Sequence, residues 1–386
     1  MGILRGECKT PGGKLVAVRV TVDGRVGDAA GRNVVGCRLD GDFFVDGDDA
    51  AARELIDAIE RALMNGEAVE SVIERYETAT GVRLVGTDAA AIDTAFMRAT
   101  GGSSAMGVED CSTRLRLARP DSNGEAIARH DNIRGETLAP EIERRWAALR
   151  PVVIHDIPRG PAEQMTIDEQ WAREVASGER PATIRFWEWA SPAVVVGRYQ
   201  SIPDEVHEDV AARDGFAVVR RCTGGGAMFI EPGNTITYSL YVPLSFVAGI
   251  GIEESYRLCD HWLIESLHAI GVRATFSGVN DIAATDPATG APAGKIGGAA
   301  QRRFPAKPAA DGHAAGPGSL LHHVTLAYDI DADHMGRILN TSAEKLSDKA
   351  VRSARKRVDP LRSQTGMPRD EIVRRMIAYL RTTYCS

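Results

Sequence analysis

Three consecutive glycines, Gly224, Gly225 and Gly226, lie shortly after two adjacent arginines, Arg220 and Arg221. Glycines leave the backbone N–H groups uncovered and allow positive φ angles. Uncovered N–H groups beside fixed positive charges suit a carboxylate or a phosphate. A flexible hairpin turn has the same composition, so this glycine run alone predicts either an anion-binding loop or a plain turn.

A second set of polar residues follows the glycine run along the chain. The adjacent pair Asn280 and Asp281 is followed by Lys295, which has glycines close on both sides. A lysine with little bulk around its ammonium can follow a negative charge that moves during a reaction, and carboxylate oxygens can bind Mg²⁺. Taken singly, the pair also suits a turn and the lysine also suits a surface strand.

The elements around these residues predict a mixed architecture. The glycine run lies between an apolar segment at 216–219 and another at 235–240, which both indicate buried strands. Further strands are expected at 183–189 and 193–200, and helices at about 162–177, with Ile167, Trp171 and Val175 on one face, and at about 253–270. Strands with inserted helices predict an α+β fold with a mixed or antiparallel sheet.

The first hundred residues predict a separate small α+β unit. Two strands, at 14–22 and 33–39, precede three stretches with apolar residues at helical spacing, of which the third, around Ile92, is short. The acidic residues Asp46, Asp48 and Asp49 are expected at a solvated helix start.

A region rich in glycine, serine and charged residues follows this unit and predicts a linker. A short helix is expected inside it at 140–149. We therefore divide the chain into an N-terminal domain at 1–100, a linker at 101–150 and a catalytic domain at 151–386.

Composition and charge exclude several classes of function. A hydrophobic fraction of 44% over 386 residues allows a sizeable core, and a net charge of −7 argues against nucleic acid as the main partner. The sequence has no long apolar run, so we expect neither a signal peptide nor a membrane segment. The six cysteines are scattered without a Cys-x-x-Cys pair, which predicts a reducing cytoplasm. We expect a monomer.

Six segments occur in an order that resembles the lipoate-protein ligase A family of the biotin and lipoate ligase superfamily. They are 195–200, 220–227, 233–235, 280–282, 295–301 and 351–353, and the resemblance runs from about 152 to 384. Segments 11–18 and 41–44 resemble the accessory domain of lipoate-protein ligases. The resemblance implies an accessory domain at the N-terminus, followed by a catalytic domain with a mixed sheet flanked by helices.

The resemblance implies an ATP-dependent ligase. Lipoate or octanoate would react with ATP to give acyl-AMP, and a lysine of an apo lipoyl domain would then accept the acyl group. The implied acceptors are the E2 subunits of 2-oxoacid dehydrogenases, the glycine cleavage H protein or related carriers. Lys295 is the implied catalytic residue, which neutralises charge where two anions meet. Mg²⁺ is expected with ATP, and Asp281 is its implied ligand.

The resemblance also implies which residues contact the substrates. The implied ATP-binding residues are Arg220, Gly225, Gly226, Ala227, Met228, Asn280, Asp281 and Lys295. The implied lipoate-binding residues are Arg220, Gly224, Gly225, Lys295, His323 and Thr325.

Two positions near the implied acyl pocket depart from the family pattern. Ile230 stands where the family has histidine, and Val324 stands where it has glycine. These departures concern which acyl chain is accepted. The segment 304–318 is expected to be a mobile surface insertion, and the basic run 345–357 a solvated face or a contact for phosphates or an acidic lipoyl domain.

Two other functions stay open. An octanoyltransferase would move the acyl group from acyl-carrier protein without ATP, and it would need a nucleophilic cysteine. Related transferases carry that cysteine shortly upstream of Asn280, where this chain has 274–276 without a cysteine, which favours the ligase. A non-catalytic lipoyl-binding protein would not need Lys295, and a biotin ligase would need a phosphate loop that is absent.

Overall fold

The computed structural model describes residues 1–10, 13–23, 33–101, 140–306, 315–341 and 360–385. Five sequence predictions fall wholly or partly outside these ranges. They are the start of segment 11–18, the segment 351–353, the basic run 345–357, most of the linker and the middle of the 304–318 insertion.

Residues 1–101, called the N-terminal module below, form an antiparallel three-stranded sheet packed against helices. The strands are β1 (Gly2–Lys9), β2 (Leu15–Asp23) and β3 (Asn33–Gly41), with a small pair formed by β4 (Phe44–Asp46) and β5 (Arg83–Val85). The helices are α1 (Asp49–Asn65), α2 (Val69–Thr80) and α3 (Ala89–Thr100). Helix α3 is longer than the sequence predicts because Asp88 caps its start and Gly101 ends it in a left-handed conformation.

The rest of the described chain, called the second module, is built on a seven-stranded sheet. The strands are β6 (Val152–Arg159), β7 (Thr183–Trp189), β11 (Thr235–Pro243), β12 (Ala274–Ser277), β13 (Asp281–Thr285), β14 (Pro292–Phe304) and β15 (Ser319–Ala327), in the order β12-β13-β14-β15-β11-β7-β6. Strands β6 and β7 are parallel and the other pairs are antiparallel, so the sheet is mixed, as predicted. A smaller sheet holds β8 (Ala193–Val196), β9 (Ala217–Arg220) and β10 (Met228–Ile230).

Helices cover both faces of the large sheet. After residue 150, the described helices are α4 (Pro161–Ser177), α5 (Ile202–Glu205), α6 (Glu208–Arg213), α7 (Ile252–Ala269), α8 (Ala332–Ile338), α9 (Leu361–Thr365) and α10 (Arg369–Tyr384), with a 3₁₀ turn at Leu244–Val247. On β11, Leu240 packs in the core beneath α7 and α10, whereas its neighbour Tyr241 packs towards α4. This alternation confirms a sheet buried on both faces. Among the described helices, none combines the length and the apolar character needed to cross a membrane.

Residues 140–149 are helical, as predicted, and they belong to the core of the second module. Trp146 is fully buried, and its Nε1 donates a hydrogen bond to the carbonyl oxygen of Leu258 over 2.9 Å. Its ring lies 5.0 Å from the ring of Tyr384. The described part of the second module therefore starts before residue 151.

Helix α4 buries a different face from the one that its apolar residues predict. Ile167 and Trp171 are only partly buried, while Gln164 and Asp168 are buried together with Val175. Apolar periodicity misplaced this face because the two polar side chains find hydrogen-bond partners inside the protein.

Candidate functional site

The two modules meet at the glycine run. Segment 41–44 of the N-terminal module lies so close to it that a Cβ on Gly224 would stand 2.6 Å from the backbone oxygen of Phe43. A Cβ on Gly225 would stand 3.2 Å from the ring of Phe44, and Gly225 has a φ of +95°. Glycine is required here because of both the close approach and the backbone conformation.

Polar and aromatic contacts hold segment 41–44 against the second module. The N–H of Gly41 donates to the carbonyl oxygen of Tyr199 over 3.0 Å, and Gln200 Nε2 donates to Asp42 Oδ1 over 2.7 Å. The rings of Phe43 and Tyr199 stack with centroids 5.1 Å apart. These contacts fix the N-terminal module beside the loop that precedes α5.

The acidic residues at the start of α1 contribute to the same interface. Asp48 is exposed and caps the helix, as predicted. Asp46 instead pairs with Arg303 over 2.8 Å, and Asp49 pairs with Arg302 over 3.0 Å. The expectation of a solvated helix start was therefore wrong for Asp46 and Asp49, because their partners come from the other module.

A cavity of about 350 Å³ opens beside the glycine run, which is a volume typical of small-molecule sites. Its polar wall includes Lys14 and Asp42 from the N-terminal module and Asn280, Asp281 and Lys295 from the second module. Its apolar lining residues include Met165, Trp187, Met228, Phe229, Ile330, Met335 and Leu339. The cavity can thus receive a molecule with an anionic group and an apolar chain.

Lys295 and Asp281 form an ion pair on this wall. Lys295 Nζ lies 2.9 Å from Asp281 Oδ1, and a bulge between β13 and β14 aligns the two side chains. A Cβ on Gly298 would stand 3.0 Å from Lys295 Nζ and 3.4 Å from Asp281 Oδ1. The glycine next to the pair therefore provides the space that the ammonium occupies.

Lys14 approaches the same wall from the N-terminal module. Its Nζ donates to Asn280 Oδ1 over 2.7 Å, while Asn280 Nδ2 donates to the carbonyl oxygen of Ala299 over 2.6 Å. Burial lowers the pKa of Lys14; the Asp281 carboxylate opposes this shift and the Lys295 ammonium adds to it. Two ammonium groups thus flank the Asn280–Asp281 pair.

The two arginines before the glycine run have different partners. Arg221 is buried, which lowers its pKa to about 10, and it donates to the carbonyl oxygens of Gly224 and Gly226 over 2.6 and 3.0 Å. A trans peptide points its C=O and N–H in opposite directions. Anchoring these two oxygens therefore turns the N–H groups of Gly225 and Ala227 away from the guanidinium.

Arg220 lies outside the set of residues that line the cavity. Its Nη1 donates to the carbonyl oxygens of Gly197, Arg198 and Gln200. The guanidinium thereby braces the turn after β8, which also contacts segment 41–44. Its implied contacts with ATP and lipoate stay predictions.

A buried hydrogen-bond chain connects the glycine run to α4. Thr223 Oγ1 lies 2.7 Å from His323 Nε2, and His323 Nδ1 lies 2.7 Å from Asp168 Oδ2. Ser239 and Tyr241 donate to the other oxygen of Asp168, each over 2.6 Å. A carboxylate only accepts, so Nδ1 of His323 donates and its Nε2 accepts from Thr223.

Most of the sequence-predicted residues come together at the cavity. Those that line it are Gly225, Gly226, Ala227, Met228, Asn280, Asp281, Lys295, His323 and Thr325. Gly224 does not line it and instead contacts Phe43. Sequence reasoning missed Lys14 and Asp42, although both lie in the segments that resemble an accessory domain.

Asp281 is the residue that the sequence predicts as a Mg²⁺ ligand. Its carboxylate lies on the cavity wall and is paired with Lys295. Among the described residues, no group of three or more His, Cys, Asp or Glu is arranged to hold a metal ion. A single carboxylate fits the way in which Mg²⁺ is held largely by phosphate oxygens and water.

Ile230 is fully buried and does not line the cavity itself. It packs in a cluster with Trp187 and Met165, which do line the cavity. Ile230, the residue that departs from the family pattern, therefore affects the cavity only through the lining side chains that it packs against.

Comparison with known proteins identifies the second module. The family model for the lipoyl protein ligase A/B catalytic domain matches residues 160–381. An octanoyltransferase LipM from an Exiguobacterium species is 41% identical over 118 residues, which are 30% of this chain and 42% of that protein. The lipoate-protein ligase LplJ of Bacillus subtilis is 29% identical over 169 residues, which are 43% of each chain.

The chain spans less than two thirds of the length of these relatives. A second octanoyltransferase LipM, from Symbiobacterium thermophilum, is 31% identical over 199 residues and is covered over 65% of its length. A solved chain from an archaeal lipoylation system, the bi-partite lipoate protein ligase of Thermoplasma acidophilum with its E2 lipoyl domain, is 23% identical with a TM-score of 0.49. That alignment covers 61% of this chain and 84% of the solved chain.

Proposed function

Because the chain belongs to the lipoate-protein ligase family, with a lipoyl protein ligase A/B catalytic domain over residues 160–381, we propose that it is an ATP-dependent ligase. In the first step, a carboxylate oxygen of lipoate or octanoate bonds to the α-phosphorus of ATP and pyrophosphate leaves. In the second step, the amine of an acceptor lysine bonds to the acyl carbon, AMP leaves and the amine loses a proton.

One observation carries this proposal. Lys295 and the residues Gly225, Gly226 and Ala227 of the loop line the same cavity, whose other lining residues include a set of apolar side chains. An acyl chain fits the apolar lining, and its carboxylate can meet a phosphate between the lysine and the loop. Preorganised N–H groups and an ammonium stabilise the negative charge that gathers at phosphorus in the transition state.

The chain's own residues supply positioning and electrostatics. Arg221 holds two carbonyl oxygens of the loop, which leaves N–H groups of Gly225 and Ala227 for phosphate oxygens. Asp281 pairs with the Lys295 ammonium, and substrate anions would compete with Asp281 for this ammonium as they bind. Mg²⁺, when bound to ATP, would supply further charge neutralisation next to Asp281.

An octanoyltransferase is the second candidate, since several relatives carry that name. Cysteine placement favours the ligase. No cysteine lines the cavity in the described part of the chain, and β12, upstream of Asn280, has none. Cys222 is half-buried beside the glycine run, and burial raises the pKa of its thiol to about 11, which disfavours the thiolate.

We further propose that residues 1–101 are the accessory domain and that the acceptors are apo lipoyl domains. The contact between segment 41–44 and the glycine run supports the first assignment, because it places this module at the cavity. The scattered cysteines, without a Cys-x-x-Cys pair, support a reducing compartment and so a cytoplasmic location.

Pyrophosphate release tests the proposal. The protein is incubated with octanoate or lipoate, ATP and Mg²⁺, and acyl-dependent pyrophosphate release is expected. Transfer from octanoyl-acyl-carrier protein without ATP would instead establish the octanoyltransferase. Binding of lipoate with neither reaction would establish a non-catalytic lipoyl-binding protein.

A further inference from the structure

Both modules contribute charge to the cavity. Its charged lining residues, among those described, are Lys14, Arg221 and Lys295 against Asp42, Glu205 and Asp281. The formal positive and negative charges therefore cancel before any substrate binds. The proposed reaction brings a carboxylate and a triphosphate together. Binding of both anions therefore requires cationic side chains that can turn towards them.

Arg221 cannot turn towards a substrate without a loss elsewhere. Its guanidinium is buried and donates to the oxygens of Gly224 and Gly226 and to Thr223 Oγ1. Redirecting these donors would take a hydrogen-bond partner from the carbonyl oxygens of Gly224 and Gly226, which is unfavourable for groups that are shielded from water. The cavity cations that can change partner are therefore the ammonium groups of Lys14 and Lys295.

Lys14 is held at the cavity by a partner that an anion can replace. Its ammonium donates to the neutral amide oxygen of Asn280, whereas Lys295 is held by the carboxylate of Asp281. An anionic oxygen is a stronger acceptor than an amide oxygen. The stem of Lys14 packs near Gly86 and its ammonium lies 5.6 Å from the Phe44 ring centroid, so the side chain is already aimed at the cavity.

We propose that Lys14 is a substrate-binding residue, supplied by the N-terminal module, whose ammonium binds an anionic oxygen of the acyl carboxylate or of the nucleotide phosphates. The identity of the substrates rests on the proposed function. Lys14 contacts Asn280 and Lys295 contacts Asp281, so the two ammonium groups lie at adjacent residues of the cavity wall. The cavity of the second module is therefore incomplete without residues 1–101.

Calorimetric binding to the full chain tests this assignment without requiring turnover. The probes are octanoate alone and MgATP alone. Lys14→Met keeps an apolar stem of similar length and removes the charge. We expect it to weaken binding of one probe about tenfold or more, as is typical when a hydrogen bond to a charged group is lost. The affected probe identifies whether the oxygen belongs to the carboxylate or to a phosphate.

Arg303→Met is the matched control, because it removes an ion pair between the modules with Asp46 at a position that does not line the cavity. We expect this variant to bind both probes within about twofold of wild type. Equal weakening by the two substitutions would assign Lys14 to module docking and overturn the proposal. Wild-type binding of both probes by Lys14→Met would overturn it as well.

The experiments can contradict the proposed ligase activity without contradicting the proposed role of Lys14. Wild-type protein that binds both probes but releases no pyrophosphate would overturn the ligase, and the comparison of Lys14→Met with Arg303→Met would still decide the role of Lys14. Wild-type protein that binds neither probe would overturn both proposals.

Discussion

Asp168 on α4 and His323 on β15 share a buried hydrogen bond, with 2.7 Å between Oδ2 and Nδ1. His323 also accepts from Thr223, which lies directly before the glycine run. The bond therefore joins a helix, the central sheet and the loop of the candidate site. Changes in the protonation of this pair should affect both the stability of the fold and the position of the loop.

Acidification should weaken the fold through His323. Burial lowers the pKa of His323, so the unfolded chain takes up the proton first, and the free energy of unfolding falls as pH drops below about 6.5. Burial alone would raise the pKa of Asp168, but the hydrogen bonds that its carboxylate accepts lower this pKa overall. The contribution of Asp168 to the free energy of unfolding is therefore lost only below about pH 4. Urea unfolding at pH 7.5 and 5.5 should show a larger loss for wild type than for His323→Gln. Equal losses in the two proteins would contradict this assignment.

Removing the Lys295 ammonium should abolish the first step. We expect Lys295→Met to lower acyl-dependent pyrophosphate release about a hundredfold or more, which is typical for loss of a group that stabilises transition-state charge. Its side chain is about half exposed, at 47%, so its pair with Asp281 adds little to stability. The thermal midpoint should therefore stay near the wild-type value. Turnover close to wild type would exclude Lys295 as the catalytic residue.

A methyl group on Gly298 should displace the Lys295 ammonium. The added Cβ would stand 3.0 Å from Nζ, and no unusual φ opposes the substitution, so Gly298→Ala should fold normally and lose about tenfold in turnover. Gly336→Ala is the control, because a Cβ there meets nothing within 4 Å. Steady-state pyrophosphate release compares the two variants. Equal activity would show that the ammonium can work from another position.

Acyl transfer should not depend on a thiol. We expect wild-type protein treated with iodoacetamide, and the Cys222→Ser variant, to keep most of their ATP-dependent activity, since no described cysteine lines the cavity. The reagent also covers Cys111, which lies outside the described residues. Mass spectrometry of protein mixed with octanoyl-acyl-carrier protein provides the second readout. A covalent octanoyl thioester would favour the transferase.

The sequence predicted the parts of the site that lie within one module. The glycine run, Asn280, Asp281 and Lys295 are each marked by composition, and the fold brings them to one cavity. The mixed sheet was predicted from the order of strands and inserted helices, each of which is marked by its local sequence pattern. These features could be predicted because each depends on residues near in sequence.

The missed features depend on contacts between distant residues. Lys14 reaches Asn280 across 266 positions, and no periodicity in either segment encodes that approach. Arg220 and Arg221 are neighbours at the end of a strand, where successive side chains point to opposite sides, so composition cannot tell which one faces the loop. The buried face of α4 was mispredicted because Asp168 is satisfied by residues from two other strands.

The close packing of segment 41–44 against Gly224 and Gly225 limits which N-terminal domains could replace residues 1–101 in a chimera. Glycine at these positions makes room for the N-terminal module as well as for a ligand. A side chain added at Gly224 would therefore disturb the contact between the two modules before it affected nucleotide binding. A chimera that replaced residues 1–101 with another such domain would need a matching segment at 41–44. We therefore expect the sequences of the two modules to be matched at this contact, so that neither module can be exchanged alone.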